Sequence, residues 1–164
     1  MTAELATKVT IVDANLSRAD HQNAIVTMLD AFMLDQDGEP LLERARREMI
    51  PGLRAHPACY ISLAYRDGSP VGFSICFLGF STFNARPLIN IHDIFVDSSV
   101  RGMGIGAMLL KRIEAKAHEL NCCRITLEVR EDNRVARGLY RKVGFDRVVV
   151  GAKRVPMEFW HKLL

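Results

Sequence analysis

The sequence predicts an α/β domain with a mixed, mostly antiparallel sheet flanked by helices. Two observations carry that prediction. Leu88–Val96 is an apolar run that reads as a strand, and Ile105–Leu120 behind it repeats its apolar residues at helical spacing, with Ile105, Met108, Leu109, Ile113, Ala117 and Leu120 on one face. Arg124–Val129 then supplies a parallel partner strand, closing a βαβ unit. Upstream, Cys59–Tyr65 and Val71–Phe80 flank the turn Arg66-Asp67-Gly68-Ser69-Pro70 and read as an antiparallel hairpin.

Taken in order, Lys8–Asp13 alternates like a first strand through Val9 and Ile11, leaving residues 1–7 as a flexible N-terminus. Ser17-Arg18-Ala19-Asp20 has the form of a capping box and opens a helix through Leu34, with Ile25, Met28, Leu29 and Phe32 on one face. Residues 35–40 read as a loop. Pro40 suits the first turn of a second helix, which should end at or before Pro51. After the hairpin, Ser81–Arg86 leads into the central strand. Asn133 or Asp132 caps a later helix that stops near Gly144, a natural left-handed terminator. Val148–Val150 and Met157–Trp160 form a last antiparallel pair. The order is β-α-α-β-β-β-α-β-α-β-β, and residues 8–164 read as one domain.

At 164 residues the chain has the length of one domain and can bury a sizeable core. Apolar residues make up 49% of it and mean hydropathy is +0.05, the balance of a soluble globular protein. The longest apolar stretch, Val71–Phe83, is broken by Ser74 and Ser81 and is too short for a bilayer, so no membrane partner is expected. Met1-Thr2-Ala3-Glu4-Leu5 lacks the basic-then-apolar pattern of a secretory signal. Cys59, Cys76, Cys122 and Cys123 include no C-x-x-C, and two are adjacent, which suits neither a zinc site nor a disulfide framework. Reduced cytoplasmic thiols and no metal are therefore expected. A net charge of +3 with scattered basic residues argues against nucleic acid.

The chemistry concentrates at Arg101-Gly102-Met103-Gly104-Ile105-Gly106, followed by Ala107, where a strand hands over to a helix. The first turn of a helix leaves backbone N–H groups unpaired and carries partial positive charge. Glycines tolerate positive φ and let a phosphate come close to those groups, and Arg101 adds a forked cation suited to phosphate. The stretch reads as a pyrophosphate cradle. Gly102-x-Gly104-x-x-Ala107, with Glu128 about 20 residues on, also fits a dinucleotide fingerprint. Against it, residues 97–101 separate the strand from the glycines, too little chain follows for a full dinucleotide fold, and Arg101 has no role in that fingerprint.

The stretch resembles the GNAT superfamily of acyl-CoA N-acyltransferases more closely. That family's Arg/Gln-x-x-Gly-x-Gly/Ala signature is matched by Arg101, Gly104 and Gly106, after a strand ending Ile94-Phe95-Val96-Asp97. Its downstream Asn, Ala, Tyr and Gly-Phe are matched by Asn133, Ala136, Tyr140 and Gly144-Phe145. The order of elements is also the family's. The resemblance implies acetyl-CoA as donor, wedged between two splayed central strands. Its pantetheine would pair with the backbone of Ile94, Phe95 and Val96, and its pyrophosphate would meet the N–H groups of Arg101 to Ala107. Asn133 and Ala136 would complete that cofactor site.

In such a fold the amine attacks the thioester directly, so the protein must deliver a neutral amine, place it, stabilise the oxyanion and protonate the thiolate. Tyr140 matches the tyrosine that the family places beside the CoA sulfur, which implies a general acid. The related diamine acetyltransferases carry a Glu-Asp pair where this chain has His92-Asp93. His92, of a residue type that titrates near neutrality, is the candidate base, and Asp93 a candidate substrate contact. Strict strand alternation puts the two on opposite faces. Asp35 and Asp37, between the first two helices, and Phe83, before the central strand, are further acceptor-side candidates. The expected reaction is acetyl transfer to a small primary amine, polyamine-like or amino-acid-like, in a homodimer. Acetylation of a protein N-terminus or lysine, and a non-catalytic acetyl-CoA sensor, are the alternatives.

Overall fold

The computed structural model describes residues 8–150, 155–156 and 162. The chain divides into two compact units, Met1–Glu128 and Val129–Leu164. The first holds β1 (Val9–Asp13), α1 (Ala19–Asp37), α2 (Glu43–Ala55), β2 (Cys59–Arg66), β3 (Ser69–Ser81), β4 (Arg86–Val96), a 3-10 turn (Ser98–Val100), α3 (Ile105–Glu119) and β5 (Ile125–Leu127). The strands form one sheet in the order β1-β2-β3-β4-β5. Neighbours are antiparallel except β4 and β5, which run parallel across the α3 crossover. The fold class is the mixed α/β expected.

Alternation along the strands builds two apolar layers. Ile61, Leu63, Phe73, Ile75 and Phe95 face α1 and α2, meeting Ala24, Ile25, Met28, Leu29 and Ile50. Ala64, Ile94 and Val96 face the other way, toward Val100, Ile105 and Leu109 of the α3 side. The buried stripe of α3 is Ile105, Leu109, Leu110, Ile113 and Ala117, so Leu110 is in the core while Met108 is exposed, the reverse of the sequence reading. Gly72 is fixed by close approach: a Cβ there would lie 2.8 Å from the Phe95 carbonyl oxygen.

Several boundaries differ from expectation for local reasons. The capping box at Ser17 does not form, because Arg18 takes the Asp20 carboxylate at 2.6 Å and the Asn15 side chain accepts from the Ser17 N–H. α1 runs past Leu34 to Asp37, where Gly38 at φ 74° terminates it. α2 begins at Glu43 rather than near Pro40, and passes through Pro51 instead of stopping there. A proline costs its own N–H bond and about 3 kcal/mol in a helix interior, but Ile50 and Leu53 on either side pack into the core and hold the turn.

In the second unit, α4 (Arg134–Lys142) ends before Gly144 at φ 96°, as the sequence indicates. β6 (Val149–Val150) pairs antiparallel with β7 (Val155–Pro156). The strand expected over Met157–Trp160 and the N-terminus 1–7 lie outside the described residues.

Candidate active site

The cradle is built by the exit from β4. Asp97 caps the 3-10 turn, its carboxylate accepting from the Ser99 N–H at 2.9 Å and the Ser99 hydroxyl at 2.5 Å. Those bonds hold its carboxyl below the usual range. Val100 is buried against Ile105 and Leu109, which anchors the turn from beneath. Gly102 and Gly104 then take φ 83° and 80°, and a Cβ at either would meet nothing within 4 Å. The glycines thus bend the chain and leave open volume beside it. No side chain caps α3, so the N–H groups of Ile105, Gly106 and Ala107 at its first turn are uncapped donors with the helix dipole behind them. Met103 is exposed, and its sulfur accepts from Arg66 Nη1 at 3.5 Å. The residues present fit a phosphate-bearing ligand.

The Arg101 side chain is engaged by protein groups. Its Nε donates to the Val96 carbonyl at 3.0 Å, its Nη2 lies 2.8 Å from Asp35, and its guanidinium sits 5.6 Å over the Phe95 ring. Asp35, expected on the acceptor side, is therefore the partner of the cradle arginine.

Next to the cradle, β4 loses its neighbour. Pairing with β5 stops at Ile91–Leu127, and from His92 to Val96 no described strand lies on that side. On the other side the register slips: Ile75 faces Asp93 while Cys76 faces Ile91, so His92 is the extra residue of a β-bulge. The bulge overturns simple alternation. The His92 ring lies 5.5 Å from Phe77, and Asp93 stands opposite Ile75, so both project on the α1/α2 face. His92 is exposed, while burial raises the Asp93 carboxyl above its usual value, partly offset by the adjacent His92. The ring of His56, the C-cap residue of α2, also lies against Phe77, at 4.9 Å. Ile94 and Val96 turn to the α3 face and Phe95 to the aromatic cluster with Phe32 and Phe73.

The remaining acceptor-side candidates are not gathered here. Asp37 is exposed at the end of α1. Phe83, 97% exposed, sits at the tip of the β3–β4 hairpin, at the opposite end of β4 from the cradle. A groove of about 630 Å³ between α1 and α2, lined by Val26, Arg46, Arg47, Ile50 and Arg54 among others, contains none of the candidate site residues.

In the second unit, Asn133 caps α4, its Oδ1 accepting from the Ala136 N–H at 3.0 Å, which leaves its amide NH2 for a ligand. Tyr140 is buried with its ring 5.9 Å from Phe145, and burial raises its phenol above the ordinary value. Its hydroxyl makes no hydrogen bond among the described residues.

The cysteines are free thiols, with Cys59 and Cys76 pushed up to about 11 and 12 by burial, unsuited to nucleophilic work. Among the described residues no three His, Cys, Asp or Glu side chains group as a metal site would need, and no helix is long and apolar enough to cross a membrane. The bulge at His92 and the pairing of Arg101 with Asp35 were missed by sequence reasoning. Each depends on a contact between segments that are remote in the chain. Gly72 did carry a signal, as a glycine inside a strand pattern.

The chain is similar to known proteins. It is 33% identical over 138 residues to the N-alpha-acetyltransferase RimI of Mycobacterium tuberculosis, covering 81% of this chain and 77% of that protein. It is 32% identical over 74 residues to the thialysine N-epsilon-acetyltransferase of Bos taurus, covering 45% of this chain and 43% of that enzyme. The matched stretch thus spans less than half of the latter. In fold it is similar to an aminoglycoside acetyltransferase from an uncultured soil metagenomic sample, with TM-score 0.77 and 16% identity over 95% of this chain and 97% of that one. An aminoglycoside N-acetyltransferase in complex with CoA gives a TM-score of 0.76 at 16% identity, over 98% of this chain and 99% of that one. Residues 24–145 match the acetyltransferase (GNAT) family, and the chain belongs to that family of N-acetyltransferases.

Proposed function

We propose that the protein transfers an acetyl group from acetyl-CoA to the primary amine of a small molecule, polyamine-like or amino-acid-like, by direct attack in a ternary complex. The observation that carries the reading is the exit of β4. The strand loses its β5 neighbour after Ile91, ends five residues later at Val96, and leads through the 3-10 turn into a glycine turn and an uncapped helix N-terminus. The edge of Ile94 to Val96, beside which no described strand lies, suits an amide-bearing pantetheine, and the donors of residues 102–107 suit a pyrophosphate.

His92 and Asp93, brought to one face by the bulge, flank the path of an acceptor on the α1/α2 side. His92, exposed there, takes the ammonium proton, directly or through water. The neutral nitrogen attacks the thioester carbon, a C–N bond forms, and the C–S bond breaks. The electron pair of that bond leaves on sulfur, and Tyr140 returns a proton to the thiolate. Tyr140's assignment is supported by its match to the family's tyrosine, and its burial-raised phenol stays protonated through neutrality.

A second reading, a protein N-terminal amine as acceptor, is favoured by the RimI relative, whose match covers 81% of this chain. A thiol-release assay with acetyl-CoA against spermidine, short diamines, lysine, thialysine, aminoglycosides and free-N-terminus peptides separates them. Release with one of the small amines is the expected result. Release with peptides alone would replace the first reading with the second.

A further inference from the structure

Arg101 is engaged on three sides. Its Nε donates to the Val96 carbonyl at 3.0 Å, its Nη2 meets Asp35 at 2.8 Å, and its planar face lies over Phe95. These partners belong to the end of β4, the last turns of α1 and the aromatic cluster between them. Just beyond Arg101 the chain passes through two glycines at positive φ. Glycines at such positions give up the most conformational freedom on ordering, so a turn built on them gains most from an external fixture.

We propose that Asp35 and Arg101 form a brace that holds the cradle in its donor-binding shape, with Asp35 as a positioning residue for the acyl donor rather than an acceptor contact. The inference rests on the acetyl-CoA reading of the same cradle. An arginine fork gains by satisfying two acceptors at once, and here both are protein oxygens. Phosphate binding is left to the backbone N–H groups of the turn and of α3. Because Asp35 sits in the last turn of α1, three residues before the Gly38 terminator and the link to α2, the brace also ties the acceptor-side helices to the donor site.

The test is titration calorimetry of acetyl-CoA at several salt concentrations, using the wild type, Asp35→Asn, Arg101→Met and the double variant. Asp35→Asn keeps the size and shape of the side chain and removes its charge, and melting curves confirm that each variant is folded. The brace predicts that each single change weakens binding by about tenfold, the scale of a modest misplacement. It also predicts that the double variant is no worse than Arg101→Met, and that the salt dependence of Kd is unchanged. Tighter binding by Asp35→Asn, or a smaller salt dependence in Arg101→Met, would make Arg101 a phosphate ligand restrained by Asp35 and overturn the brace. Wild-type affinity in Asp35→Asn would overturn it too. A wild type that does not bind acetyl-CoA would refute the donor reading instead.

Discussion

Tyr140 shows what one residue can carry. Burial disfavours the phenolate, so the group holds its proton across the working range, and its hydroxyl is uncommitted among the described residues. As the proposed acid for a departing thiolate it would act in the transition state and not on the bound donor. Tyr140→Phe should therefore lower kcat by about 10²-fold, within the range of acid–base catalysis, and leave acetyl-CoA affinity within about twofold. Steady-state kinetics with calorimetry reads both, and wild-type turnover would remove Tyr140 from the mechanism. The Asn133 cap on Ala136 was legible in the sequence because its pattern is local, whereas Tyr140 was singled out by the family resemblance and not by spacing alone. His92 and Asp93 were legible as residues but not as geometry. Which face each takes depends on the β3 residue each pairs with, and no periodicity within β4 announces a bulge.

At the level of elements, the strand–turn–helix unit from β4 to α3 depends on residues without side chains. Gly104→Glu places a carboxylate where the phosphates would lie. The open space around Gly104 lets the fold absorb it at about 1–2 kcal/mol for a left-handed non-glycine residue. Calorimetry should find acetyl-CoA binding abolished in a protein that still melts cooperatively, and retained affinity would mean that the cradle is not the phosphate site. Gly72→Val makes the opposite demand. Its Cβ would press on the Phe95 carbonyl, so β3 or β4 must shift, at about 2 kcal/mol. A denaturation midpoint equal to wild type would contradict that contact. Periodicity made the elements themselves readable, since the apolar rows of α1 and the hairpin lie where expected. Their ends were less so. Arg18 diverted Asp20 from capping, and core packing of Ile50 and Leu53 carried α2 through Pro51, tertiary effects that outweigh local preference.

Over the whole molecule the carboxylates divide by the direction in which folding moves them. Asp13 is lowered chiefly by its bonds with Arg112, Asp30 by Arg46, and Glu119 by Arg112 and Lys116. A depressed folded value contributes stability above the unfolded value, near 4, that is lost as pH falls through the folded one. Unfolding by urea should therefore become easier as pH drops below about 4. Asp93 has the opposite sign. Burial raises it, so the folded state holds that proton more tightly than the unfolded chain, and stability falls as pH rises from the unfolded value through the folded one. Ionising Asp93 in the folded state is therefore a cost, carried beside His92. Asp93→Asn should then stabilise the protein at pH 7 by about 1 kcal/mol, the scale of an imperfectly solvated polar group, and do nothing at pH 3, where Asp93 is neutral in both states. Urea midpoints of the two proteins at both pH values decide it. An equal gain at both would assign the effect to packing rather than charge. No gain at pH 7 would mean that the carboxyl is well solvated, and that its place beside His92 costs the fold nothing.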